Sequence, residues 1–218
     1  MGWSSLMARI TAGIFDFSGV MTTSPLDGVY DYEHSLGLSK GRLLSLIIGD
    51  HNSDGDDPWH RLERGEIPGT EFWEQLRERA AKELGVEIAL DELARSFLKG
   101  YKPRPRMVEL VRGLRGRIRT GLLTNNIKEF GGFWRAMIPV EEIFDEVIDS
   151  SEVGLRKPDP RVYVLALERL GASPEETFFV DDFEANVKAA KDVGLTGITF
   201  TDEDSVIAEI ERLVGPKV

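Results

Sequence analysis

Ile14-Phe15-Asp16-Phe17-Ser18-Gly19-Val20-Met21-Thr22 is the stretch from which the fold can be read. An apolar run, rich in strand formers once past Gly13, stops at a carboxylate, and a small residue and a glycine follow. A strand that ends this way presents its Asp at the carboxyl edge of a sheet, where open α/β sheets bind ligands. Taken alone, such an Asp is usually a turn residue and nothing more. Three further polar signatures give it a context: Leu122-Leu123-Thr124-Asn125-Asn126, Gly154-Leu155-Arg156-Lys157-Pro158-Asp159-Pro160 and Phe178-Phe179-Val180-Asp181-Asp182. The first and third again close apolar runs, and Lys157 sits in the loop after another.

Outward from Asp16, the first strand is expected over roughly Arg9–Phe17. Later strands are expected over Arg119–Leu123, Glu146–Asp149, Thr177–Val180 and Gly197–Thr201. Helical patterns lie between them. Arg106–Leu114 carries Met107, Leu110, Val111 and Leu114 on one face, and Val162–Leu170 carries Val162, Leu165, Ala166 and Leu170. Asp202-Glu203-Asp204-Ser205 opens a last helix with Val206, Ile207, Ile210 and Leu213 facing inward. Strand–helix alternation of this kind predicts an α/β fold: a doubly wound parallel sheet, Rossmann-like, with helices on both faces.

The segment 22–102 breaks the alternation. It reads as helices without strands, over Ser39–Ile48, Trp59–Arg64, Thr70–Leu84 and Leu90–Lys99, separated by Gly-, Asp- and Pro-rich turns. Phe72, Leu76, Ala80 and Leu84 give the third helix an apolar stripe. The expected organisation is therefore an α/β core from residues 1–21 and 103–218 with an inserted helical domain over 22–102. Hinges fall at Thr22–Pro25 and Tyr101–Pro105, both of which contain proline. Trp59, His60, Phe72 and Trp73 either line a pocket or fill the insert's own core, and their helical spacing favours the core. Asp50-His51-Asn52-Ser53-Asp54-Gly55 begins like a calcium loop, but Arg61 stands at the twelfth position, where a bidentate carboxylate belongs. It reads as an acidic turn.

Composition narrows the functional classes. The 218 residues have the apolar and charged fractions of a globular protein. They also leave room for one generous domain, or for a core and an insert. No apolar run approaches the ~20 residues of a membrane span. The opening Met1–Arg9 has no signal-peptide apolar core, and Leu6 stands where a myristoylation motif needs Ser or Thr. There is no cysteine, which excludes disulfides and thiolate metal sites, and a cytoplasmic setting is expected. A net charge of −11 opposes nucleic acid and anionic membranes as partners. The one local basic run, Arg104, Arg106, Arg112, Arg115, Arg117 and Arg119, reads as a solvated helix face and turn. Oligomeric state has no signature here.

Asp, then Ser/Thr, then Lys, then an acidic pair, in that order, resembles the haloacid dehalogenase-like superfamily over nearly the whole chain. The resemblance is strongest to phosphatase-type domains similar to the amino-terminal half of soluble epoxide hydrolase. Glu152–Tyr163 and Val180–Ala190 are its most specific parts. The helical insert resembles the cap of this superfamily, which closes over the site and excludes water.

The resemblance implies a Mg²⁺-dependent phosphohydrolase acting on a small phosphorylated substrate. Asp16 would be the nucleophile, forming an aspartyl-phosphate that divides one hard hydrolysis into two displacements. Mg²⁺ would be held by Asp16, the backbone carbonyl of Ser18 and Asp182, with Asp181 in support, and would offset repulsion between two anions. Thr124 would donate its hydroxyl to the phosphoryl group, with the backbone N–H groups of Asn125 and Asn126 nearby. Lys157 would supply fixed positive charge to the phosphoryl oxygens and to Asp16. Asn186, one helical turn past Asp182, would orient the acidic loop. Arg156 is expected to face either substrate or solvent.

Ser18 departs from the pattern. Hydrolytic members of the family usually carry a second Asp two residues after the nucleophile, which protonates the leaving oxygen and then activates water. A serine hydroxyl has no pKa near neutrality, and such help is worth roughly 10²–10⁴-fold. Weakened phosphatase activity is therefore one expectation. A noncatalytic phosphate-binding protein of the same fold is the alternative. A 2-haloacid dehalogenase, whose Asp attacks carbon without a metal, fits less well: Asp181 and Asp182 would repel its anionic substrate, and an aromatic residue usually stands at position 18.

Overall fold

A computed structural model describes residues 9–50 and 52–215. The leader reading of Met1–Ala8 and His51 of the acidic turn lie outside the described residues. Five strands form one parallel sheet: β1 (Ala12–Phe15), β2 (Arg119–Thr124), β3 (Glu146–Asp149), β4 (Thr177–Asp181) and β5 (Thr196–Thr199), in the order β3-β2-β1-β4-β5. The chain winds outward from β1 on one side, then crosses back to start β4 on the other. The switch point therefore lies between the carboxyl ends of β1 and β4, where the sheet opens a crevice.

The strands are buried on both faces, as a parallel sheet requires. Alternate residues serve opposite layers. Phe15, Leu122, Phe178 and Val180 pack on one side against α6 (Pro105–Leu114), α7 (Gly131–Arg135), α8 (Val140–Ile143) and α12 (Glu203–Val214). Ile14, Leu123, Ile148 and Phe179 pack on the other against α10 (Pro160–Leu170) and α11 (Glu184–Val193). The sheet is thus doubly wound, as expected. Gly13 is a matter of space: a Cβ there would lie 2.3 Å from the ring of Phe178, its partner in register on β4.

Between β1 and α6 the chain forms α1 (Leu26–Ser35), α2 (Arg42–Ile48), α3 (Pro58–Glu63), α4 (Gly69–Arg79, continued by a wide turn over Ala80–Leu84) and α5 (Leu90–Gly100). These helices share a separate hydrophobic cluster, in which Val29, Leu43, Leu62, Phe72 and Leu76 are buried. The first helix escaped the sequence reading because Gly28 interrupts its pattern. That glycine lets α1 cross α5 closely, since a Cβ would meet Ser96 O at 1.8 Å. The short α7, α8 and α9 (Ser150–Val153) were also missed. The two linkers to the insert run side by side: Thr23 N donates to Lys102 O at 2.8 Å, and Lys102 N to Thr23 Oγ1 at 2.9 Å.

Of the basic run, Arg106 and Arg112 lie at the surface in ion pairs with Asp204 and Glu109, and Arg104 reaches Glu203 at 3.2 Å. Among the described residues no helix is long and apolar enough to cross a membrane.

Candidate active site

Asp16 follows β1 directly and is tied to the neighbouring strand through its N–H, which donates to Val180 O at 2.9 Å. This places it beside Asp181, the last residue of β4, at the switch point. Lys157 Nζ bridges the two, 2.5 Å from Asp16 Oδ1 and 2.7 Å from Asp181 Oδ2. All three side chains are buried. Four motifs far apart in sequence thus meet because parallel strands present their carboxyl ends at one edge.

The loop carrying Lys157 is fixed by Asn125. Its side-chain amide donates to Lys157 O at 2.9 Å and accepts from Lys157 N at 2.8 Å. Asn125 lines the cavity, but its side chain is spent on holding the lysine. Asn126 was expected to offer its N–H beside Asn125; that N–H instead donates to Ser150 Oγ at 2.9 Å. Thr124 is buried at the end of β2, with its hydroxyl 3.4 Å from Asn125 O. Asn186 Nδ2 lies 3.0 and 3.1 Å from the two oxygens of Asp181. Phe183 N adds a third donor to Asp181 at 2.8 Å.

Asp182 is held differently. Its Oδ1 is buried and has no hydrogen-bond partner. Asp16, Asp181 and Asp182 each offer a carboxylate oxygen, all within 4.8 Å of one another. Burial raises the Asp16 carboxyl well above the usual range, Lys157 opposes this, and the charges of Asp181 and Asp182 add to it. Burial and then Asp181 raise Asp182 in the same way, against Lys157. Burial by itself would lower the Lys157 ammonium, but Asp16 and Asp181 outweigh it, so it stays charged. Three carboxyl groups crowd around one lysine, and each disfavours ionisation of its neighbours. An orphaned buried oxygen among them fits a hard divalent cation, which prefers oxygen donors. Gly19, at φ +93°, makes this approach geometrically feasible, because a Cβ there would lie 2.2 Å from Asp182 Oδ2.

A cavity of about 230 Å³ opens from this centre. Asp16, Ser18, Asn125, Lys157 and Asn186 line its inner end, and the helical insert covers it. Of the four insert residues weighed as pocket or core, Trp59 and Trp73 line the cavity, whereas Phe72 and His60 are buried outside its walls. Two residues with no sequence signal appear here. Tyr101 Oη lies 3.0 Å from Ser18 Oγ. Glu63 accepts from Arg156 Nε at 2.8 Å, and Arg156 Nη1 donates to Ser53 O at 2.9 Å. Arg156 was expected to face either substrate or solvent. It is buried and ties the Lys157 loop to the helical segment, through partners about a hundred residues away. Asp54 of the acidic turn is likewise used by Arg64 and Arg156.

Residues 10–194 match the haloacid dehalogenase-like hydrolase family. The chain is 32% identical over 210 residues to the sesquiterpene phosphatase astK of Aspergillus oryzae, covering 94% of this chain and 96% of that one. It is 28% identical to acyl-CoA dehydrogenase family member 10 of Mus musculus over 94% of this chain. It is 26% identical to bifunctional epoxide hydrolase 2 of Rattus norvegicus over 92%. It spans 19% and 38% of the lengths of those two relatives. A HAD-like hydrolase structure from Porphyromonas gingivalis superposes with a TM-score of 0.72 at 21% identity, covering 96% of this chain and all of that one. A HAD family enzyme from Bacteroides thetaiotaomicron, solved in complex with magnesium and inorganic phosphate, gives 0.65 at 21% identity over 87% of this chain and 93% of that one. The chain belongs to the haloacid dehalogenase-like hydrolases.

Proposed function

We propose that this hydrolase is a Mg²⁺-dependent phosphatase that acts on a small phosphorylated metabolite, with Asp16 as nucleophile. The observation that carries this reading is the buried, partnerless Asp182 Oδ1 beside Asp16 and Asp181. Such a cluster suits a divalent cation and does not suit metal-free attack on a haloacid. That a relative is named a phosphatase and a structural neighbour was solved with magnesium and phosphate supports the same reading.

Asp16 and Asp182 would hold the ion together with the Ser18 carbonyl, and Asp181 would support them. Bound there, Mg²⁺ would supply positive charge to a phosphate oxygen. Asp16 then forms a bond to phosphorus while the ester oxygen leaves. Water next attacks the aspartyl-phosphate, and its bond to Asp16 breaks to release phosphate. Lys157 holds charge against the phosphoryl oxygens and keeps Asp16 oriented, and Thr124 and the Asn125 N–H serve as donors. Residues 22–102 act as the cap, hinged at the paired linkers Thr22–Pro25 and Tyr101–Pro105, with the Arg156–Glu63 pair holding it closed.

Ser18 favours a second reading, a phosphate-binding protein without turnover, because no carboxylic acid stands where the leaving oxygen needs a proton. The net charge of −11 favours a small-molecule partner over nucleic acid or membrane, and a cytoplasmic setting belongs to the same reading. Phosphate release over a panel of phosphoesters with and without Mg²⁺, beside chloride release from 2-haloacids, decides among them. Mg²⁺-dependent phosphate release is expected. Chloride release, or no product from either panel, would overturn it.

A further inference from the structure

Beyond its inner end, the cavity is built of hydrocarbon. Val29, Leu44 and Ile48 are buried walls from α1 and α2, and Trp59, Trp73 and Phe97 add aromatic faces from α3, α4 and α5. Most of the polar groups that also line it already hold a protein partner. Glu63 and Arg156 pair with each other. Asn125 holds the Lys157 backbone. Asn186 Nδ2 serves Asp181, and Ser24 Oγ accepts from Leu26 N at 3.3 Å. The site thus has one charged end, at Asp16 and Lys157, and an apolar remainder continuous with it.

We infer that the substrate's organic group is predominantly hydrocarbon, a chain or compact ring system, and not a sugar or polyol. The inference rests on the phosphatase reading of the inner end and adds the class of molecule attached to the phosphate. Each methylene moved from water into such walls should tighten binding roughly fourfold. A hydroxyl placed there without a partner should weaken it by roughly fivefold or more. A polyol phosphate carries several.

The test uses straight-chain alkyl phosphates from ethyl to octyl, short enough to stay free of micelles, with glycerol 3-phosphate and glucose 6-phosphate for comparison. Phosphate release with Mg²⁺ gives kcat/KM. Calorimetry with the matching alkylphosphonates, which cannot be hydrolysed, gives affinity separately from turnover. The expected result is a rise of roughly threefold to fourfold per methylene in both measures, with the two polyol phosphates no better than ethyl phosphate. A flat or falling series in phosphonate affinity, or a polyol phosphate that matches octyl phosphate, overturns the inference. Phosphonate affinities that climb while every ester stays intact would support the apolar subsite and count against the phosphatase reading alone.

Discussion

Ser18 Oγ and Tyr101 Oη lie 3.0 Å apart, joining the loop after β1 to the linker that follows α5. Burial pushes the Tyr101 phenol up to about 12, against the opposing effect of its bond to Ser18. The pair is therefore neutral across the physiological range and has no proton to exchange near pH 7. The position two residues past Asp16 thus contributes a hydrogen bond to the linker after α5 in place of a titratable carboxyl.

Restoring the carboxylate with Ser18→Asp should raise hydrolysis of alkyl phosphates by roughly 10²-fold or more. Tyr101 Oη is placed to donate to the new group. Aryl phosphates, whose leaving groups are less basic, should gain less. Wild type should accumulate an acid-stable phosphoenzyme, because its breakdown also wants a base. Equal rates for both proteins on both substrates, with no trapped phosphoenzyme, would show that Ser18 is not limiting.

Asp16→Asn should remove turnover by several orders of magnitude while leaving the fold intact, because an amide has no charged oxygen to attack with. The loss should appear in kcat, and circular dichroism should be unchanged. Near wild-type rates on any true substrate would refute the nucleophile assignment.

Magnesium should stabilise the protein by relieving repulsion among Asp16, Asp181 and Asp182. At a hundred times its Kd it adds about 2.7 kcal/mol, or about 5–10 °C in Tm for a chain of this length. Asp182→Asn should leave the metal-free melting temperature unchanged or higher and abolish the shift. A thermal scan with and without EDTA reads this directly, and an unchanged shift in the variant would remove Asp182 from the metal site.

Gly19→Ala should weaken magnesium binding by roughly 10–100-fold, the range found when a group that positions a metal ligand is disturbed. The added Cβ would collide with Asp182 Oδ2 and would hold a non-glycine residue at φ +93°. Calorimetric affinity within twofold of wild type would count against this close approach.

Arg156→Met should destabilise the fold by about 3–5 kcal/mol near neutral pH, because it leaves Glu63 buried and unpaired. Burial already raises the Glu63 carboxyl from its ordinary 4.5, and Arg156 opposes that rise. A folded carboxyl that holds its proton more tightly than the unfolded one contributes stability below about 4.5. That contribution is lost as pH rises through the folded value. Losing Arg156 raises the folded value further, so the variant's deficit should be smaller at pH 5 than at pH 8. Urea melts at the two pH values with equal deficits would indicate that Glu63 is not the group left uncompensated.

The order of the four motifs and the strand–helix alternation determine the α/β fold with its parallel sheet. These features are local: an apolar run ending in Asp, an amphipathic stripe, a polar loop, each legible within a dozen residues. What the sequence could not determine depends on pairs distant in the chain. Gly28 looks like a helix breaker until Ser96 is seen against it. Arg156 reads as facing either substrate or solvent until α3 brings Glu63 beside it. Ser18 looks like a simple loss until Tyr101, 83 positions later, closes on it. The apolar outer cavity is likewise a property of five helices together, because which side of an amphipathic helix meets a neighbour and which meets a void is settled only by packing.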